Sequence, residues 1–247
     1  MILIKLGGSI ITNKEKPLSA RKGSIDKIVK ALKKIDEPIV VVHGGGSYGH
    51  YWSVKYNMHT KPANYNIHGV SVVKNSMIEL NKIILDSFLK NRLNPYCLPP
   101  TDFIFRNKPI TKKIKEISKI AKSNLVPVTF GDALWYEKKK SYILSGDQIM
   151  SILAKILKPS LCVFVLNVDG LYSDLKTKKL IHELKGEKPL IIKSSKDVTG
   201  GMKRKVDEAT KISKNGMNVF FVNGNKPERI VDAVKRKKFR GTLFKVR

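Results

Sequence analysis

Residues 39–50, IVVVHGGGSYGH, restrict the folds open to this chain more than any other stretch. Four apolar, mostly β-branched residues pass into a histidine, three glycines and a helix start. A short apolar run bounded by glycine fits a strand of a parallel sheet, buried on both faces. Glycines at its carboxyl end permit backbone conformations and close approaches that side chains block. Their N–H groups, with the helix N-terminus behind them, form a seat for an anion.

The same arrangement occurs at the start of the chain, where Ile2-Leu3-Ile4-Lys5-Leu6 runs into Gly7-Gly8-Ser9. Lys5 either faces solvent from an edge strand or holds its ammonium over the phosphates that the glycines cradle. So apolar a strand favours the second reading, because a buried lysine needs a partner. Lys14 and Lys16 follow in the next loop, closing over an anion or simply solvated. Ile25, Ile28, Val29 and Leu32 predict an amphipathic helix over 24–34. A third strand, 126–130, ends in Gly131-Asp132, and 135–144 has the shape of a hairpin turned at Lys138 to Lys140. Ser145-Gly146-Asp147 opens a helix; Asp147 is either a cap or a carboxylate that orients Lys5 and Lys14.

Residues 48–68 concentrate aromatics, a methionine and three histidines. They form either an ordinary loop-and-helix excursion or a lid with an apolar lining over the glycine site. His50 falls in the first helical turn after the glycines, where it is placed to touch a phosphate or move a proton. His59 and His68 have no such placement, and the histidine spacings match no metal motif. Helices are predicted over 69–93 and 112–122.

The second half repeats the rhythm: a buried strand at 161–166, then Asp169 and Tyr172 in NVDGLYSD, suited to a ribose and a base. Residues 176–189 read as a loop with little regular structure. Gly200, Gly201 and Lys205 make a further phosphate cradle at the start of a helix through 215. A strand at 218–223, a helix at 227–237 and a strand at 241–244 complete the chain. The expected fold is α/β: one αβα sandwich over 1–247 with a mostly parallel central sheet. Its halves, about 1–158 and about 159–247, read as two lobes, with ligand sites at the carboxyl ends of the strands.

The formal charge of +28 invites a nucleic-acid reading. However, the 48 basic residues comprise 40 Lys and 8 Arg, and the lysines are spread over every segment. Arg is the residue suited to bidentate reading of bases and phosphates. No zinc-finger spacing or RNP-like motif accompanies them, so no specific nucleic-acid partner is expected. No apolar run approaches the ~18 residues that span a bilayer, and the start lacks the layout of a signal peptide. Cys97 and Cys162 stand in no metal or redox spacing and read as reduced core thiols of a cytoplasmic protein.

The glycine turns exclude several chemistries. None is GxxxxGK[ST], so this is not a P-loop NTPase. Gly44, Gly46 and Gly49 satisfy GxGxxG, but no acidic residue ends a next strand, as a dinucleotide site needs. HGGG without a GxSxG nucleophile elbow is not an esterase oxyanion hole. Several glycine turns with lysines and no nucleophile fit phosphoryl transfer by positioning and charge neutralisation.

IKLGGSIIT, VVVHGGGSYGH, PVTFGD, SGD, NVDGLY and DVTGGMKRK, in this order, resemble the amino acid kinase superfamily over essentially the whole chain. Within it, GGGSYGH with His50, together with Lys14 and the aromatic segment, is similar to the isopentenyl phosphate kinases. That resemblance implies an ATP-dependent kinase that phosphorylates isopentenyl phosphate, the rival being a sibling acting on fosfomycin, UMP or an amino acid. It implies that Lys5, Gly7, Gly8 and Ser9 contact ATP phosphates and that Lys14 stabilises the transferring group. Gly45 and Gly46 would lie between acceptor and donor, with His50 and Gly131 on the acceptor side. Asp147 would organise the lysines, and Asp169, Tyr172, Gly201 and Lys205 would hold the nucleotide. Mg2+ would ride on ATP rather than on a protein metal site, and the protein would be a homodimer. Two positions depart from the pattern: Gln148, where a second acidic residue is expected, and Asn167, where Asp or Thr is common.

Overall fold

The computed structural model describes residues 1–174, 179–185 and 201–246. In order, the first half contains β1 (Ile2–Leu6), α1 (Gly8–Ile11), α2 (Lys22–Leu32), β2 (Ile39–His43), α3 (Gly46–Lys55), β3 (Ala63–Asn64), α4 (Ile67–Lys90) and β4 (Pro95–Cys97). A small hairpin, β5 (Ile104–Phe105) and β6 (Lys108–Pro109), leads to α5 (Thr111–Lys122) and β7 (Val126–Phe130). The hairpin β8 (Asp132–Glu137) and β9 (Lys140–Leu144) precedes α6 (Gly146–Leu157). The second half holds β10 (Leu161–Leu166), β11 (Leu171–Asp174), β12 (Lys179–Ile181), β13 (Glu183–Lys185), α7 (Gly201–Lys214), β14 (Val219–Asn223), α8 (Glu228–Val234) and β15 (Gly241–Lys245).

Among the described residues the main sheet runs β13-β15-β14-β10-β1-β2-β7-β4, parallel throughout except where β14 meets β15. Its central strands are apolar on both faces because helices cover both. Ile2, Ile4, Ile39, Val41 and Val163 pack beneath α2, α4 and α8, whereas Leu3, Val40, Val42 and Phe164 pack beneath α5, α6 and α7. The α5 sequence TKKIKEISKIAK shows how the helices arise: Ile114, Ile117 and Ala121 recur on the buried side, leaving the lysines to water. This is the expected αβα sandwich. Strand order reverses at β1, with β2 on one side and β10 on the other. The crevice beyond the carboxyl ends of these strands is where open α/β sheets bind ligands.

Two expectations need correction. Residues 176–189 are not simply loop: β12 pairs antiparallel with β11, and β13 pairs parallel with β15 at the sheet edge. The Thr242 hydroxyl ties them in, accepting from the Leu171 N–H at 2.9 Å and donating to the Ile181 carbonyl at 2.6 Å. Residues 175–178 and 186–200, and with them Gly200, lie outside the described residues. Secondly, Cys97 is not a core thiol. It is exposed on β4, the strand at the other edge of the sheet, whereas Cys162 is buried on β10.

Candidate active site

Lys5 is 2% exposed, on the sheet face that α6 covers. Its Nζ lies 2.6 Å from Asp147 Oδ1, while Lys205 Nζ lies 3.7 Å from Asp147 Oδ2. Asp147 therefore joins Lys5 to Lys205, not to Lys14; the packing of α7 on α6 brings Lys205 in. The helix cap is Ser145, whose hydroxyl accepts from the Gln148 N–H while the Gln148 side chain accepts from the Ser145 N–H. Gln148 thus completes a capping box, a place where Glu and Gln are interchangeable, which accounts for that departure.

Burial lowers Lys5 to about 8, with Asp147 opposing the shift and Lys205 and Arg204 adding to it. Burial alone would raise the Asp147 carboxyl, but Lys5, Lys205 and Arg204 outweigh it and hold it below the usual carboxylate range. Lys5 is a charged group only below about pH 8 in the free protein. If its charge serves phosphate binding, kcat/KM for ATP falls as pH rises through 8, since this parameter reports the free enzyme. A profile that stays flat to about pH 9.5 would refute that use of Lys5.

The two N-terminal glycine turns are packed backbone to backbone. A methyl on Gly8 would come within 2.5 Å of the Gly46 N, and Gly46 itself has φ +50°. Thr12, which the sequence reading passed over, ties the turns together: its hydroxyl donates to the Gly8 carbonyl at 2.8 Å and accepts from the Ser47 N–H at 2.9 Å. Gly131 follows β7 and packs against the Gly146 backbone, which in turn lies beside the Lys5 side chain. The strand ends thus converge on one place.

His50 is exposed on α3. Partial burial of its ring, with Lys14 and Arg204 nearby, lowers its pKa, so it is neutral at pH 7. Lys14 is exposed and has no ion pair among the described residues. Lys5, Lys205 and Arg204 surround the Asp147 carboxylate, and Arg204 together with Lys14 acts in turn on His50. Arg204 was missed, although it lies in the motif that supplied Lys205.

The remaining predicted residues lie beside this cluster. Ser9 Oγ donates to Asn167 Oδ1 at 3.1 Å, which binds the first glycine turn to the end of β10 and gives Asn167 a use of its own. Asp169 is engaged otherwise than expected: Oδ1 accepts from Arg229 at 2.6 Å and Asn223 at 2.8 Å, and Oδ2 lies 2.7 Å from Arg240 Nε. Those partners hold the turn after β10. Tyr172 is half-buried on β11. Gly201 begins α7, and its carbonyl accepts from Lys205 Nζ at 3.0 Å.

On the other side of the glycines, Met58, Val73 and Ala133 form a separate apolar cluster with Trp52, Tyr56, Tyr65, Val70 and Ile143. Asp132, next to Gly131, is 1% exposed and lies 2.5 Å from Lys74 Nζ, fastening α4 to β8 beside this cluster. His59 and His68 are spent locally, on Asn57 and Tyr56. Among the described residues no group of three His, Cys, Asp or Glu could hold a metal ion. Nor is any helix there long and apolar enough to cross a membrane.

A cationic cluster at the carboxyl ends of parallel strands, threaded by glycine turns, is the apparatus of a phosphotransferase. The chain belongs to the amino acid kinase family, which residues 1–223 match. Within that family it is similar to isopentenyl phosphate kinases. That of Thermoplasma acidophilum is 33% identical, covering 99% of this chain and 100% of the relative. That of Methanocaldococcus jannaschii is 32% identical over 95% of each. The product complex of the T. acidophilum enzyme superposes with a TM-score of 0.83 at 30% identity, over 99% of this chain and 100% of that one. UMP kinase from Ureaplasma parvum, at 17% identity and a TM-score of 0.65, shares the fold. The family makes ATP the co-substrate.

Proposed function

We infer that this protein is an ATP-dependent kinase that converts isopentenyl phosphate to isopentenyl diphosphate. The observation that carries this is the buried Lys5–Asp147 pair with Lys205 and Arg204 beside it, Arg204 and Lys14 acting in turn on His50, in a chain a third identical to kinases of that name. An oxygen of the acceptor phosphate attacks the γ-phosphorus of ATP in line. The new P–O bond forms as the bond to the β,γ-bridging oxygen breaks, and ADP leaves. The acceptor oxygen is already anionic, so no general base is required; alignment and positive charge carry the reaction.

In this reading the lysines share the work. Lys5 and Lys205 neutralise the ATP phosphates, held apart and in place by Asp147. Gly7, Gly8 and Ser9 present backbone to the same phosphates, and Lys14 meets the transferring group. Gly45, Gly46, Gly131 and His50 receive the acceptor phosphate, and the apolar cluster around Met58 and Ala133 receives its tail. Tyr172 and Gly201 flank the nucleotide. Mg2+ accompanies ATP on its own phosphates: among the described residues, Asp147 is the carboxylate in the cationic array, and it is taken up by two lysines. The acceptor lobe is the β1–β2–β7 side of the sheet and the nucleotide lobe the β10–β14 side. A homodimer in the cytoplasm completes the proposal.

ADP release measured across isopentenyl phosphate, fosfomycin, UMP and glutamate tests it. Isopentenyl phosphate should lead by orders of magnitude; a lead by any other acceptor overturns the assignment. His50 gives a second test. A hydrogen bond to a charged partner contributes about 1.5–3 kcal/mol. His50→Ala should therefore lower kcat/KM for the acceptor about 10- to 100-fold while the KM for ATP stays within about twofold. His50→Gln, which keeps an N–H donor, should recover part of the loss. An equal loss in both substrates would place His50 on the wrong ligand.

A further inference from the structure

We propose that His43 is a positioning residue for phosphoryl transfer: anchored by Asn81 and Phe130, it fixes the Gly44 carbonyl and so turns the Gly45 N–H toward the acceptor phosphate. The proposal rests on the reading of the second glycine turn as the acceptor's seat.

His43 ends β2, is 0% exposed, and lies on the α4 face of the sheet with Ile39 and Val41. It cannot touch substrate. Its ring stacks on Phe130, centroids 5.3 Å apart and planes 21° from parallel. Nδ1 is 3.1 Å from the Gly44 carbonyl oxygen and Nε2 is 3.2 Å from Asn81 Oδ1. Burial lowers its pKa to about 4, so the ring is neutral and carries one N–H. A carbonyl only accepts, so that hydrogen is on Nδ1 and Nε2 must accept. The two ends of the Asn81 amide are nearly isosteric, and its Nδ2 lies 3.1 Å from Cys97 Sγ. A half-turn of the amide places NH2 toward Nε2 and the oxygen toward the Cys97 thiol. Every group is then satisfied in one direction: Cys97 S–H to Asn81, Asn81 N–H to His43, His43 Nδ1–H to Gly44.

The consequence falls on the next peptide. There are no cis peptide bonds among the described residues, and in a trans peptide the C=O and N–H point opposite ways. With the Gly44 carbonyl drawn toward His43 on the α4 face, the Gly45 N–H is directed to the other face, which carries Lys5. Among the described residues that N–H has no acceptor. A methyl on Gly44 would lie 3.7 Å from Lys5 Nζ, which places this peptide at the cationic cluster. A donor held in advance where charge accumulates needs no reorganisation during the reaction.

The test compares kcat, both KM values and the thermal midpoint for His43→Phe, His43→Asn and Asn81→Leu. Removing one such donor costs about 100-fold or more, and misdirecting it should cost His43→Phe about 10-fold or more in kcat, with the KM for ATP unchanged. His43→Phe keeps the stack on Phe130. His43→Asn loses the stack but puts an amide N–H where Nδ1 stood, so it should melt lower and yet turn over faster than His43→Phe. A purely structural role would make kcat follow the thermal midpoint. Asn81→Leu, which leaves the glycine turn untouched, should lower kcat several-fold. The proposal is overturned if His43→Phe stays within twofold of the parent, or if kcat ranks with the midpoint across the set. Should His43→Phe fail to fold, an Asn81→Leu protein with parental kcat overturns it alone. Each variant is assayed with whichever acceptor the parent turns over. A loss in His43→Phe with another acceptor would thus sustain this inference while removing the assignment to isopentenyl phosphate.

Discussion

Asp147→Asn should lower kcat about 100- to 1000-fold, the range seen when one preorganised charge-stabilising group is removed. The substitution keeps the shape and a hydrogen-bonding oxygen but deletes the negative charge between Lys5 and Lys205, 2.6 and 3.7 Å away. Lys5 is already lowered to about 8 with Asp147 opposing the shift. Without that carboxylate its pKa falls further, and less of the ammonium remains at neutral pH, where the ATP phosphates need it. The alkaline fall in kcat/KM should accordingly move to lower pH. Stability suffers too, because removing one partner of a buried pair costs about 3–5 kcal/mol. A double variant, Lys5→Met/Asp147→Leu, separates the two effects: apolar replacement of the buried Lys5–Asp147 pair recovers stability, yet activity should stay at least as low. Kinetics and thermal melts on both proteins check this. An Asp147→Asn enzyme keeping more than a tenth of the parental kcat would show that the pair is structural.

The parts of the site written as local pattern were legible in the sequence. Lys5, the glycine turns and His50 are each announced by a short apolar strand, a glycine run and a helix start within a few residues. What was not legible depends on contacts between distant segments. Asp147 was recognised as a carboxylate that organises lysines, but its second partner is Lys205 rather than Lys14, because helix packing decides which ammonium arrives. Asp169 stands where expected after β10, but Arg229 and Arg240, supplied from α8 and the segment after it, claim both its oxygens. Thr12 and His43 gave no signal, since a threonine after an apolar run and a histidine ending a strand are ordinary until their partners are known. β12 and β13 escaped because three-residue, lysine-bearing strands show no usable alternation; β13 lies at the edge of the main sheet, a place that short, charged strands suit. Cys97 depends on distant contacts too: its strand pairs on one side only, at the edge of the sheet, which the residues around it do not announce.

Gly46→Ala should be as damaging as loss of Asp147, for steric reasons instead of electrostatic ones. Gly46 has φ +50°, a conformation that costs an L-residue about 1–2 kcal/mol. Its new methyl would fall 2.0 Å from Thr12 Oγ1 and 2.7 Å from the Gly8 carbonyl oxygen. Neither obstacle is a flexible chain end. Thr12 is buried and hydrogen-bonded to both turns, and the Gly8 carbonyl is backbone. The turns must separate, and the two phosphates they align move apart with them. A displacement of that kind, about 1 Å, is enough to cost about 100-fold in rate. Thr12→Ala added to Gly46→Ala removes the nearest clash but leaves the Gly8 carbonyl and the backbone strain, so recovery should be partial. Gly23→Ala is the control: it lies in α2 with nothing within 4 Å of a new methyl. It should leave kcat unchanged and stabilise the protein by about 0.4–1 kcal/mol. Parental kcat in Gly46→Ala would mean that the contact between the glycine turns does not set the distance between donor and acceptor.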